Sequence, residues 1–486
     1  MENTGRITRT IRRTARDILF GATADAAIDA ELPFIAQVDR AHVVMLAESA
    51  LIDRNTAASL LAAIDELRQR RFEPLRGRAA LRGVYLLYED YLIGKTGMSV
   101  GGMLQLGRSR NDLNATAQKL RLRAPWLRLV RESLRLQAIL LRRSHRYAGV
   151  VMPAYTHFQA AVPITYGHYL AGIGSSLDRD LDALLATGSL FDVSPLGAGA
   201  VGGTALPIRA ERTAELLGFV RPTPHSIDAV ASRDGVLRVL AAASILGVTL
   251  SRVATDFLLW STSEFDFLSF PDHLVGSSSM MPQKRNVYFL EHVQGRAASA
   301  LGAFTHAVQA CHAKPFTNSI AVGTEAVSAA WDALRKTTEA VILLRLIAAE
   351  AEPRRSSMEA RARDGHTSAT ELANRLVGQG GVPFRTAHHT VGSFVRAALE
   401  NDQPLEDVAR HGLREAGSNV STEGLDAASV ATASQYGGGP GSTKLAVKEL
   451  TSHWSAHCAR LRVRTQSWRA ADDALDRAAA HIFSNA

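Results

Sequence analysis

Cysteine is nearly missing from this chain: 486 residues carry two, Cys311 and Cys458. Thiols so few and so far apart supply neither a disulfide framework nor a zinc knuckle, and they point to a reducing, cytoplasmic setting. Long apolar runs are missing as well. The longest, Val239 to Leu250, is interrupted by Ser244, Gly247 and Thr249 and bounded by Arg238 and Arg252. It is too short to span a bilayer, so the sequence reads as a soluble protein without a membrane partner. No hydrophobic signal core opens the chain. An arginine-rich arm stands there instead, with Arg6, Arg9, Arg12, Arg13 and Arg16 flanked by Glu2 and Asp17, and it reads as a surface segment. There is no internal repeat and no low-complexity tract. No His-Glu-x-x-His occurs, and His388-His389 are adjacent rather than spaced for one ligand face, so neither a metal nor a cofactor is implied. Gly197-x-Gly199-x-x-Gly202 matches a dinucleotide fingerprint, but it lacks a preceding strand and an alternating strand–helix pattern, and nucleotide binding is not inferred.

What is present is helix. The composition, 46% hydrophobic and 21% charged, supports a sizeable core and two or three structural regions. The net charge of +8 is spread through helical segments rather than massed in one tract, which disfavours nucleic acid. A multiply carboxylated substrate and an ordinary basic surface both fit that balance. Apolar residues from Val236 to Leu259 fall on nearly every side of a helix, as expected in the middle of a bundle or at a subunit interface. Comparable stretches run from about 111 to 146, 165 to 190, 286 to 313 and 325 to 350, with Pro125 a candidate kink in the first. The segments between them, 97–107, 152–163, 194–207 and 271–285, are rich in Gly, Pro and Ser and read as chemistry-bearing loops. Alternating strand patterns are scarce. Boundaries fall near 112 and 360, giving an N-terminal domain over 1–112, a central long-helix bundle over 113–360 and a C-terminal helical domain over 361–486.

Three stretches carry chemistry. Gly276-Ser-Ser-Ser-Met-Met-Pro-Gln-Lys-Arg-Asn286 places hydroxyls, a lysine and an amide in a loop feeding a helix, where backbone N–H groups favour an anion. Leu106-Gly-Arg-Ser-Arg-Asn-Asp112 offers a hydroxyl, a guanidinium fork and an amide to a carboxylate. Its plainer reading is a capped helix start with solvated arginines. Met152-Pro-Ala-Tyr-Thr-His-Phe-Gln159 contains His157, which alone is more often a structural residue than a catalyst.

In this order the three resemble the fumarase/aspartase superfamily. The first resembles its signature loop, Gly-Ser-Ser-x-Met-Pro-x-Lys-x-Asn. The second resembles the Thr-Gly-Arg-Ser-Arg-Asn-Asp segment characteristic of argininosuccinate lyase within that superfamily, and the third its Met-Pro-Gly-Tyr-Thr-His-Leu-Gln. The likeness continues through Ser194 to Pro207, Ser232-Arg-Asp234, Thr370 to Ala373 and Gly381 to Arg385, covering about residues 100 to 400. It implies an all-α fold, a long-helix bundle with smaller N- and C-terminal helical domains. It also implies a homotetramer with active sites shared between chains, and a carbon–nitrogen lyase that eliminates fumarate from an N-substituted aspartate by anti β-elimination. On that resemblance Ser278 is the catalytic base and His157 the acid or proton relay. Ser109, Arg110, Asn111, Thr156, Lys284 and Asn286 bind the dicarboxylate, with Lys284 and Asn286 donating to the aci-anion.

The chain departs from the pattern in one region above all. Where argininosuccinate lyases carry Tyr-Asn-Lys/Arg-Asp followed by Gln-Glu-Asp-Lys, this sequence has Lys314-Pro-Phe-Thr-Asn-Ser-Ile-Ala-Val-Gly-Thr-Glu325, and most of the charged and amide groups are gone. Ser277 replaces the glycine before the catalytic serine, Leu106 replaces Thr, and Asn286-Val-Tyr288 replaces Asn-Pro-Asp. The fumarate half of the site is kept and the amine half is eroded, so the leaving amine is expected to differ from arginine. Two alternatives stay open: an authentic argininosuccinate lyase of arginine biosynthesis, and a catalytically silent structural homologue on the same fold.

Overall fold

The computed structural model describes Arg6, residues 9–433 and residues 437–484; Glu2 of the arginine-rich arm lies outside them. Of the rest of that arm, Arg13–Phe20 forms a short helix in which Arg16 pairs with Asp17.

An N-terminal apolar core is built from α1 (Asp25–Glu48), α2 (Arg54–Gln69) and α3 (Val84–Thr96). The chain then enters α4 (Arg110–Arg146), 37 residues long. At 1.5 Å per residue that helix spans roughly 55 Å. It runs through Pro125 rather than ending there. A two-stranded ribbon follows at its far end, β1 (Val151–Thr156) against β2 (Gln159–Thr165). The sequence marks this stretch as a loop because of its prolines. Pro153 and Pro163 stand opposite each other in the register. The Tyr166 N–H bonds the Val150 carbonyl while the Thr165 N–H points away to Gly438, so alternation puts the proline pair where neither nitrogen faces the partner strand and the ladder loses no rung.

The chain turns back along α4 as α5 (Tyr166–Ala186), and Trp126 of α4 donates to the carbonyl of Leu184 near α5's end. α6 (Asp234–Trp260) begins beside the first turns of α4 and ends near the ribbon, where Phe265 packs edge-on against Tyr155. A small ribbon, β3 (Gly276–Ser277) with β4 (Arg285–Asn286), leads into α7 (Tyr288–Ala297) and α8 (Ser299–Cys311). These return the chain to the α4 N-terminus. α9 (Ala330–Glu350) runs down again, and Glu352 just beyond it accepts from Tyr147 at 2.6 Å. The bundle is therefore up–down–up–down–up, with α4, α6 and α9 parallel, and α5 and the α7–α8 pair reversed.

α6 extends past the stretch the sequence marks out. At 27 residues it is long and apolar enough, by length and composition alone, to cross a membrane. In the fold one of its faces is packed against the other bundle helices, with Val239, Leu246, Leu250 and Phe257 buried in the central core. Its other face leaves Ile245, Val248 and Leu259 exposed. Gly247 brings α6 against the α7–α8 break. A Cβ there would run into the carbonyl of Ala297, next to Ala298, which carries helical dihedrals between the two helices.

Beyond the bundle, α10 (Arg355–Asp364) packs on the β1–β2 ribbon. α11 (Ala369–Gly378), α12 (Phe384–Asn401) and α13 (Leu405–Glu415) surround a third, smaller core. The last helix, α14 (Pro440–Ser484), does not stay with it. Over 45 residues it straps the molecule, contributing Leu461 to the central core and Leu475, Ala479 and Ile482 to the N-terminal one.

The Gly247 contact gives a direct test. Gly247→Ala forces the α6–α7 crossing apart and should lower unfolding free energy by roughly 1–3 kcal/mol, read as a reduced denaturant midpoint. An unchanged midpoint would show that the crossing has slack.

Candidate active site

The segment Ser109–Asn111 sits at the N-terminus of α4 and is held from below. Arg108 and Asp39 form an ion pair whose side chains are both fully buried, and Arg108 also donates to the hydroxyl of Tyr85 at 3.4 Å. Burial raises the Asp39 carboxyl against the pull of the Arg108 charge and hydrogen bond. Such a pair leaves an uncompensated buried charge if either partner is removed, so it fixes Arg108 and with it the next residue. Ser109 caps the helix: its hydroxyl accepts from the Asn111 N–H at 3.2 Å, and Asp112 accepts from the Ser109 N–H at 3.0 Å.

Asp112 does more than cap. It is fully buried, and its second oxygen accepts from the backbone N–H groups of Gly197 (3.1 Å) and Gly199 (2.9 Å). Burial pushes its carboxyl up, against the lowering effect of those N–H donors. The glycine-rich loop is thus pinned to the helix start by one carboxylate. Gly199 has φ +59°, and a Cβ there would collide with Gly203, so the glycine spacing serves this turn. Asn111 reaches across the same end of the bundle: its amide donates to the Ala200 carbonyl at 3.2 Å, and its oxygen accepts from Asn318 at 2.9 Å. Arg110 is exposed, and its side chain has no hydrogen bond or ion pair among the described residues.

Thr156 and His157 lie at the opposite end. Thr156 and Gln159 are register partners, which leaves His157 and Phe158 as a two-residue turn. Both have positive φ, +51° and +61°. Hairpins with two left-handed residues ordinarily use Asn and Gly, and a bulky residue held there stores about 1–3 kcal/mol. The turn projects: Thr156, His157 and Phe158 are all exposed.

The third segment is also at that end. Gly276 pairs with Asn286 and Ser277 with Arg285, closing the loop from Ser278 to Lys284. Arg285 anchors the return strand to Asp272 (2.5 Å) and to the carbonyl of Phe270 (2.9 Å). Inside the loop the Ser278 hydroxyl accepts from two backbone N–H groups, Met280 at 3.3 Å and Met281 at 3.0 Å. Lys284 is exposed, and its ammonium has no partner among the described residues.

The structure therefore groups the residues singled out from sequence into two sets. Ser109, Arg110 and Asn111 are at one end of the bundle; Thr156, His157, Ser278, Lys284 and Asn286 are at the other. Among the described residues no hydrogen bond or ion pair joins any two of the three segments. Three groups that sequence reasoning passed over belong with the first set. One is Asp112, legible as the third position of a capping box. The others are Asn318 and Arg233, whose guanidinium comes near the position a Cβ on Gly323 would take. Arg233 is buried and donates to the carbonyls of Val230 and Ser232. Beside them a cavity of about 280 Å³ is lined by Gln118, Lys119, Arg221, Thr223, Arg233 and Arg238, among others. Lys119 donates to the Val193 carbonyl at 2.9 Å, and burial brings its ammonium down to about 8.

Comparison with known proteins adds the following. Residues 45–302 match a lyase family model, and residues 366–434 match that of the argininosuccinate lyase C-terminal region. The argininosuccinate lyase of Methanoculleus marisnigri is 36% identical over 77% of this chain and 76% of its own. That of Methanosarcina mazei is 31% identical over 92% and 91%. Among solved structures, an EDDS lyase variant with bound fumarate superposes with a TM-score of 0.84 at 28% identity, covering 98% of this chain and 96% of its own.

Lys119 supplies a pH test. Its proton is held up to about 10.5 in the unfolded chain but only to about 8 in the fold. Its contribution to stability is thus present above 10.5 and lost as pH falls through 8. Relative to Lys119→Met, the unmodified chain should gain up to about 3 kcal/mol between those values. Parallel pH profiles for the two proteins would contradict the burial.

Proposed function

The chain belongs to the argininosuccinate lyase family and is a carbon–nitrogen lyase, and on that premise we propose that it eliminates fumarate from an N-substituted aspartate with Ser278 as base and a leaving amine other than arginine. The carrying observation is the Ser278 hydroxyl seated on the N–H groups of Met280 and Met281. A serine is a poor base in water. Two fixed N–H donors, with Lys284 on the same loop, are what an alkoxide needs in order to persist.

In this reading the alkoxide takes the Cβ proton next to a carboxylate. The electron pair moves into that carboxylate as an aci-anion, to which Lys284 and Asn286 donate. The Cα–N bond then breaks on the opposite face, and the amine leaves with a proton supplied through His157. Arg110, Ser109, Asn111 and Thr156 hold the dicarboxylate. The strained turn at His157 fits a side chain held for a purpose rather than for packing.

A bundle length separates Arg110 from Ser278 within one chain, so the site is completed between chains. The exposed Ile245, Val248 and Leu259 of α6, an apolar row on a bundle helix, support a homotetramer built on that face. The two cysteines, both free, suit a cytoplasmic enzyme. Neither a nucleic acid nor a membrane has a part in this reading. The division near residues 112 and 360 stays part of this reading, with two qualifications: Leu113, Ala117 and Leu120 of α4 belong to the N-terminal core, and α14, within 361–486, packs with the first two cores.

On the amine side, Asn318 remains against Asn111, but the stretch from Lys314 to Glu325 lacks most of the charged and amide groups of the argininosuccinate lyase pattern it resembles. A site that has lost its hydrogen-bond partners for a charged amine loses its preference for that amine.

Two outcomes are expected. Ser278→Ala should lower fumarate release by about 10²–10⁴-fold with an unchanged circular dichroism spectrum; undiminished release would refute the base assignment. Argininosuccinate should be cleaved more slowly than at least one adduct formed when the enzyme is offered fumarate and a panel of amines, with products read by mass spectrometry. Argininosuccinate proving the fastest substrate would restore the arginine-biosynthetic reading.

A further inference from the structure

Away from the three motif segments, α5 and α14 face each other with matched side chains. Asp178 and Asp182 are four residues apart on α5, and His453 and His457 are four apart on α14, so each pair lies on one helix face. Asp178 Oδ1 lies 3.1 Å from His457 Nε2, and Asp178 Oδ2 lies 2.8 Å from His453 Nδ1. His457 Nδ1 lies 3.8 Å from Asp182 Oδ1, too far for a hydrogen bond.

His457 is 4% exposed, and its Nδ1 is buried without a hydrogen-bond partner. A buried ring nitrogen aimed at a carboxylate but not bonded to it is an unfilled valence. One ligand atom from each of Asp178, Asp182 and His457 falls within 4.8 Å of the others. A tetrahedral ion with bonds of about 2.0–2.1 Å spaces its ligands at roughly 3.3 Å. Because the His457 ring stands between the carboxylates, with Nε2 toward Asp178 and Nδ1 toward Asp182, the ring must turn to bring one nitrogen onto an ion shared with both. Imidazole with carboxylates is a donor set suited to zinc and its neighbours rather than to calcium or magnesium.

We propose that Asp178, Asp182 and His457 form a divalent transition-metal site that staples α14 to α5, with His453 orienting the Asp178 carboxylate from the second shell. Three protein ligands leave one position for water. The site is far from the lyase motifs in sequence, shares no hydrogen bond with them, and acts on the docking of the strap helix. Gln137 Nε2, donating to Asp178 Oδ1 at 3.1 Å, completes the outer shell. Arg460 lies 3.5 Å from Asp182 at the half-exposed rim and has room to swing into solvent when an ion arrives.

The full-length protein, stripped with a chelator and dialysed, is titrated with zinc chloride by calorimetry and with cobalt chloride by visible absorption. One zinc per chain should bind and raise the melting temperature, and cobalt should give the d–d bands of a low-coordinate N/O site. Asp182→Asn removes an exposed ligand without disturbing packing. It should weaken zinc binding by at least about 100-fold and abolish the melting shift while leaving the metal-free melting temperature unchanged. His453→Gln, removing only the imidazole that bonds Asp178 Oδ2, should cost about 10–100-fold. Absence of saturable binding to the unmodified protein, or equal binding by Asp182→Asn, would overturn the proposal.

Discussion

Thirty-seven residues of continuous helix lie between Ser109 and the ribbon that carries Thr156 and His157, and everything functional in this fold answers to that length. An α-helix cannot be shortened to bring its ends together. α4 and its bundle partners therefore act as spacers that hold two chemically different ends roughly 40–55 Å apart. One end gathers Ser109, Arg110 and Asn111, proposed to hold the carboxylates, with the Asp112-pinned glycine loop and the buried Arg233. The other gathers a serine on two N–H groups, a free lysine and a histidine on a strained turn. In the proposed reading neither end is complete by itself, so association of chains becomes a condition for chemistry, and the apolar face left open on α6 is the surface proposed for it.

Rigidity at each end is obtained differently. At the α4 N-terminus it comes from buried charge: Arg108 against Asp39, and Asp112 collecting N–H donors from two segments far apart in sequence. At the other end it comes from short ribbons that close a loop and a turn, leaving their tips in solvent. The first arrangement suits a binding surface that should not move. The second suits a loop and a turn free to adapt, as the proposed site requires.

Much of this was legible in the sequence. Periodicity placed α4, α6 and α9 to within a few residues, because long helices with buried faces repeat the signal many times over. The loop from Gly276 to Asn286 stood out by its residue types, and its reading as a signature loop rested on its resemblance to the superfamily. Four features were not legible. The β1–β2 ribbon was hidden by Pro153 and Pro163, which read as loop residues until their opposition in the register is seen. The stretch from 286 to 313 reads as one helix because Ala298, between the two helices, keeps helical dihedrals and an ordinary composition, so nothing in the residues marks the break. The role of Asp112 depends on Gly197 and Gly199, 85 and 87 residues away, a separation that no local pattern encodes. Asn318 was discounted with its altered neighbours, and only its contact with Asn111 restores it to the site.

The central claim is that one chain's Arg110 serves another chain's Ser278. It is tested by preparing Arg110→Ala and Ser278→Ala separately, each impaired in fumarate release, and then unfolding and refolding them together. Shared sites predict that the mixed oligomer recovers a fraction of the unmodified activity, because some assemblies contain a site with both residues intact. Mixed oligomers that form, as shown by mass, yet release fumarate no faster than the two parents would contradict it.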